Sequence, residues 1–120
     1  MNREIEFRGF DSREWRYGDL EYNRKDDVAR IHTYKDDGSY NKQYLVDPYT
    51  VGEFTGMRDK HGKKIFEGDI VCTNGCEEFF EVIYDAPDFC LKKNSSGYRF
   101  LNHPENFEVI GNIFDNPELL

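Results

Sequence analysis

The chain has 120 residues and a mass of 14.2 kDa, the commonest size for one domain, with 16 basic against 24 acidic side chains and a net charge of -8. Nineteen aromatics (ten Phe, eight Tyr, one Trp) in a chain of mean hydropathy -0.84 exclude a wholly disordered protein. No apolar run approaches the roughly 20 residues of a membrane-spanning helix.

Nearly every segment reads as a short strand bounded by turn chemistry. Glu4 to Arg8 alternates apolar and charged residues, the period-2 mark of a half-buried strand. Asp11 to Glu14 turns the chain, and Trp15-Arg16-Tyr17 returns. Gly18 to Tyr22 reads as an edge strand and Asn23 to Asp27 as a charged loop. Val28 to Tyr34 is a strand, Asp36-Asp37-Gly38 a hairpin turn, and Tyr40 to Val46 the partner strand. Asp47-Pro48 breaks the pattern.

Val51 to Thr55 begins a second series. Asp59 to Gly62 turns, with Gly62 suited to the left-handed region. Lys64-Ile65-Phe66 precedes a Gly68-Asp69 turn into Ile70 to Thr73, where Asp69 can accept backbone N–H bonds. Asn74-Gly75 is a strong hairpin signal leading to Glu78 to Tyr84. Asp85 to Asp88 turns, Phe89-Cys90-Leu91 returns, and Asn94 to Gly97 turns again. Tyr98 to Leu101 and Phe107 to Phe114 complete the strands, and Asn116 caps one helical turn that starts at Pro117.

Strands at this spacing predict an all-β fold of short antiparallel strands with little helix, in one or two small barrel-like units, the C-terminal half SH3-like. The chain is read as a single domain, 1–120. The Asp47-Pro48 break suggests a subdivision into an N-terminal meander, 1–47, and a small C-terminal barrel, 48–120.

Charge and chemistry narrow the function. Both halves are acidic, at -3 for 1–56 and -5 for 57–120, which disfavours sequence-independent nucleic-acid binding. Lys60, Lys63 and Lys64 around His61 read as a solvated turn. Cys72, Cys76 and Cys90, with no apolar leader before them, fit reduced thiols in a cytoplasm. A structural zinc site usually takes two ligand pairs; Cys72-x3-Cys76 is one pair, and Cys90 and His103 are unpaired completions, so no metal and no cofactor are expected. His32, His61 and His103 lie in separate segments, His32 on a strand's solvent face, and no spacing marks a catalytic unit, so no catalytic residue is assigned. The glycines fall at strand ends and do not match a phosphate-binding loop.

The stretch Val51 to Val71, VGEFTGMRDKHGKKIFEGDIV, resembles the central signature of the YopX family. Glu4 to Asp11 is similar to that family's opening, and Glu108 to Leu120, EVIGNIFDNPELL, to its ending. The resemblance spans both termini. Glu53, Met57 and Gly9-Phe10 depart mildly from the family's pattern. It implies a β-rich protein encoded by phages or prophages, chiefly of Gram-positive bacteria, and it carries over no catalytic or binding residue. Val51, Phe54, Ile65 and Phe66 are expected to form one apolar cluster across a hairpin.

The leading expectation is a non-enzymatic accessory protein that binds another phage or host protein, or itself. A first alternative is a module for nucleic-acid machinery or an acidic imitation of DNA; a second is a small enzyme whose site only the fold assembles.

Overall fold

The computed structural model describes residues 4–73, 75–93 and 98–120, and among these turn chemistry marks off eleven strands and three single 3-10 turns. The strands are β1 (Phe7–Phe10), β2 (Trp15–Asn23), β3 (Val28–Tyr34), β4 (Tyr40–Val46), β5 (Gly52–Arg58), β6 (Lys64–Phe66), β7 (Asp69–Thr73), β8 (Phe79–Asp85), β9 (Asp88–Lys92), β10 (Tyr98–Phe100) and β11 (Phe107–Asn112). The 3-10 turns are Pro48–Thr50, Pro104–Asn106 and Pro117–Leu119. No described helix is long and apolar enough to cross a membrane. The chain divides into two compact units, one ending at Phe54 and one beginning at Thr55.

In the first unit the strand order is β4-β3-β2-β1, with residues 52–54 of β5 beside β1. Antiparallel register places Leu20 opposite Ile31, Ile31 opposite Tyr44 and Ala29 opposite Val46. Opposite residues share a face, so Ala29, Ile31 and Val46 are buried there, with Phe7, Leu20, Tyr44 and Val51 packed against them. The alternate residues Glu21, Arg30, His32 and Gln43 face the other side. At Gly18 a Cβ would stand 2.0 Å from the His32 carbonyl oxygen. Glycine there lets two strands approach, so β2 runs unbroken from Trp15 to Asn23, between β1 and β3. The expected edge strand starting at Gly18 is thus the second half of an interior strand.

The second unit contains a sheet of order β10-β9-β8-β7-β11, antiparallel throughout, and the β5–β6 hairpin. Val71 faces both Phe80 and Val109, and Val82 faces Leu91. With Ile65, Phe89, Leu101 and Phe107 they form a buried core, in which the Phe80 and Phe107 rings meet edge-on at 6.2 Å. At about 1.5–3 kcal/mol per large apolar side chain buried, this core outweighs that of the first unit.

The all-β expectation holds, with two corrections. Among the described residues the strands form open antiparallel sheets and close no barrel, because each sheet ends in strands that pair on one side only. The expected Val51–Ile65 cluster divides between two cores: Val51 packs in the first unit and Ile65 in the second. Gly38, Gly62 and Gly75 take positive φ at exposed turns, as turn chemistry predicts. Asn74 and the Asn94 to Gly97 turn lie outside the described residues.

Candidate functional site

The motifs that carry the resemblance turn out to be braces. Asp59 is buried, yet its carboxylate accepts three backbone N–H bonds, from His61, Lys63 and Val109, each at 2.9 Å. Burial pushes its carboxyl up and the three N–H donors pull it down, leaving it below the ordinary aspartate range. These bonds tie the 59–63 turn to β11, and the Lys60 N–H adds a bond to the Phe107 carbonyl at 3.0 Å. Asp69 accepts the Phe66 N–H at 2.7 Å, closing the Gly68 turn as expected. Near the C-terminus Asn112 Oδ1 accepts the N–H groups of Phe114 and Asp115, and Asn116 Oδ1 accepts that of Asn112. A Cβ at Gly111 would stand 2.4 Å from Asn116 Oδ1, so glycine is required for this close approach.

Surfaces with free chemistry lie elsewhere. In the first unit Leu20, Tyr22, Asp27, Pro48, Tyr49 and Val51 line a groove of about 380 Å³. Its prominent feature is Tyr49, 84% exposed. The local sequence explains that exposure. Asp47 caps the 3-10 turn by accepting the Tyr49 N–H, Pro48 occupies its first position, and Thr50 turns inward. Thr50 Oγ1 accepts the Phe10 N–H at 2.9 Å and donates to the Asp47 carbonyl at 2.6 Å. With residues 47 and 50 clamped, the ring between them points out. Tyr22 donates its hydroxyl to Asp27 at 2.7 Å, which raises the phenol's pKa and fixes a carboxylate in the groove.

On the polar face of the same sheet His32 stands between Glu21 Oε1, 2.7 Å from Nε2, and the Tyr40 hydroxyl, 3.0 Å from Nδ1. Tyr34 donates to Asp19 at 2.9 Å, and that bond raises its phenol's pKa. A carboxylate, imidazole and phenol in series can pass a proton, though a phenol is a weak nucleophile near neutrality.

In the second unit the Gly75 turn brings Cys76 back over Cys72, their Cα atoms 4.8 Å apart, and the two form a disulfide. Free thiols were expected; the turn, closed by the Cys76 N–H on the Thr73 carbonyl at 2.7 Å, folds one sulfur onto the other. Glu108 stands opposite Cys72 in register, and both sulfurs and a Glu108 oxygen lie within 4.8 Å of one another. His61 Nε2 is 3.8 Å and Lys60 Nζ 3.6 Å from the two Glu108 oxygens. The Lys60–His61 turn is therefore partly neutralised by Glu108. Cys90 is a free thiol, buried, and burial pushes its pKa up. His103 adopts positive φ, with Nδ1 3.2 Å from Glu105, and lines a pocket with Thr73, Glu77 and Glu78 beside the cysteine hairpin.

The sequence reading missed Tyr49 and Glu108. Asp47-Pro48, read there only as a break, is a helix-start signal and could have identified the Tyr49 turn. Glu108 meets Cys72 through the pairing of β7 with β11, and His61 reaches Glu108 through the Asp59 brace.

Comparison with known proteins agrees with this fold. Protein EF1440 from Enterococcus faecalis is similar over 99% of both chains, at 21% identity and a TM-score of 0.62. Protein yopX from Bacillus subtilis is similar over 96% of this chain and 95% of its own, at 20% identity and a TM-score of 0.58. No curated protein matches. The YopX protein family matches residues 6–120, and the chain belongs to that family.

Proposed function

We propose that this chain is a phage-encoded, non-enzymatic accessory protein that docks a partner protein in the Tyr22–Tyr49 groove. The observation that carries the reading is Tyr49, 84% exposed on a turn clamped at both sides. A rigid tyrosine offers large contact area with little conformational entropy left to lose, which is why tyrosine is enriched among residues that dominate binding. Asp27 beside it and the net charge of -8 favour a partner face that sets Lys or Arg next to an apolar side chain.

A photo-reactive phenylalanine analogue at position 49 tests this in nuclease-treated lysates of the cells that carry the gene. The expected result is one dominant protein adduct that Tyr22→Ala suppresses and that the same analogue at Lys35, an exposed hairpin position, does not form. An adduct at twice the chain mass would replace the partner with a second copy. No adduct at 49, or the same adducts at both positions, would overturn the reading.

A further inference from the structure

We propose that the chain, with its thiols reduced, holds one thiophilic divalent cation, zinc fitting best, between Cys72, Cys76, Glu108 and His61. The proposal is independent of the groove, whose residues all belong to the first unit.

Backbone geometry assembles the group. Cys72 on β7 and Glu108 on β11 are direct cross-strand partners, so their side chains leave the sheet on one face. Val71, one residue earlier, points into the core, so Cys72 points the opposite way. It is nonetheless fully buried, while Cys76 is exposed. Cys76 has φ +53, a conformation that glycine or asparagine adopts at less cost. Cysteine at this position keeps a second sulfur over the first.

His61 is delivered independently. The three bonds to Asp59 and the Lys60–Phe107 bond hold the turn against β11, with the imidazole 3.8 Å from the Glu108 carboxylate. The spacing Cys-x3-Cys is within the range of zinc pairs.

The donor set and its size suit zinc. Two sulfurs, one imidazole nitrogen and one carboxylate oxygen are its usual ligands, whereas calcium and magnesium take oxygen. Bonds of about 2.0–2.3 Å in a tetrahedron set ligands roughly 3.3–3.8 Å apart. The cysteine and glutamate atoms lie within 4.8 Å of one another, so about 1 Å of side-chain movement brings these three to ligand spacing, and the exposed His61 side chain, 3.8 Å from Glu108, swings in as the fourth. Charge also balances. Two thiolates and a carboxylate sum to -3, the cation adds +2, and Lys60, 3.6 Å from Glu108, adds +1. Binding displaces the thiol protons to solvent. The disulfide and the site exclude each other, since both use the same two sulfurs.

The test is Co2+ titration of the full chain with a phosphine reductant present, read by thiolate-to-cobalt absorption, followed by displacement with Zn2+. One Co2+ per chain is expected, and none when the disulfide is kept. Cys76→Ser, at an exposed position, should abolish the absorption while the far-UV circular dichroism stays native. Glu108→Gln and His61→Ala should weaken binding by more than the roughly 10–100-fold that loss of an outer-shell partner causes. Cys90→Ala should bind like the wild type. The assignment is overturned if the folded, reduced wild type takes up no stoichiometric cobalt, if Cys76→Ser keeps it, or if Cys90→Ala loses it. Unchanged binding by His61→Ala or Glu108→Gln would overturn the four-ligand shell.

Discussion

Removing the Asp59 carboxylate should strongly destabilise the second unit. Asp59→Ala leaves three N–H donors without their acceptor. Those of His61 and Lys63 sit in an exposed turn and can be rehydrated, so each costs about 1 kcal/mol. The Val109 N–H is buried, and stranding it costs about 1–3 kcal/mol. The expected loss is therefore about 3–5 kcal/mol, a large part of a small unit's stability. Asp59→Asn separates the contributions. Its amide oxygen can still accept from His61 and Lys63, but its NH2 then opposes the Val109 N–H, so about 1–3 kcal/mol is lost. Urea unfolding followed by far-UV circular dichroism is the assay, with chelator and reductant present so that no bound cation shifts the curve. Trp15 emission, from β2, separately reports on the first unit. If both variants unfold within about 0.5 kcal/mol of the wild type, the brace does not hold the turn and the reasoning fails.

Gly18→Ala should destabilise the first unit by at least about 1–3 kcal/mol, because its Cβ would meet the His32 carbonyl at 2.0 Å and backbone must move; the Trp15 unfolding curve measures this. Asp11 accepts the backbone N–H groups of Glu14 and Arg13 and the Arg16 guanidinium, with the Glu14 bond the largest influence, and its pKa falls to about 2. A depressed folded pKa means the Asp11 contribution is fully present above the ordinary value of 3.8 and is lost as pH falls through about 2. Carboxyl carbon NMR should find that midpoint, and a midpoint near 4 would show the bonds absent in solution. Gly111→Ala should detach Asn116 from the Asn112 N–H, giving faster amide exchange at Asn112, Phe114 and Asp115; unchanged rates would rule the contact out.

Local chemistry made most strands legible. Asp-Gly, Gly-Asp and His-Gly steps need positive φ or side-chain acceptors, and those requirements are written in adjacent residues, so Gly38, Gly62 and the Asp69 turn were readable. Gly18 misled for the same reason. A glycine can end a strand or admit a neighbour, and only the His32 carbonyl decides between them. Whether the barrel-like units close was not legible, because closure depends on which strands end each sheet, and alternation fixes faces but not neighbours. The candidate sites were least legible. Tyr49 was available through its Asp47-Pro48 turn. Glu108 and His61 were not, since they lie 47 positions apart and the long-range bonds from the 59–63 turn to β11 bring them together.

The most direct test of the docking account is the affinity of the cross-linked partner for wild-type chain and for Tyr49→Ala, measured alongside their unfolding curves. Tyr49 is exposed, so its truncation should leave stability within about 0.5 kcal/mol. As the anchor of the interface it should cost about 2 kcal/mol or more of binding, roughly a 30-fold weaker complex. Equal affinity for the two proteins, with both fully folded, would contradict the assignment of the groove as the docking surface.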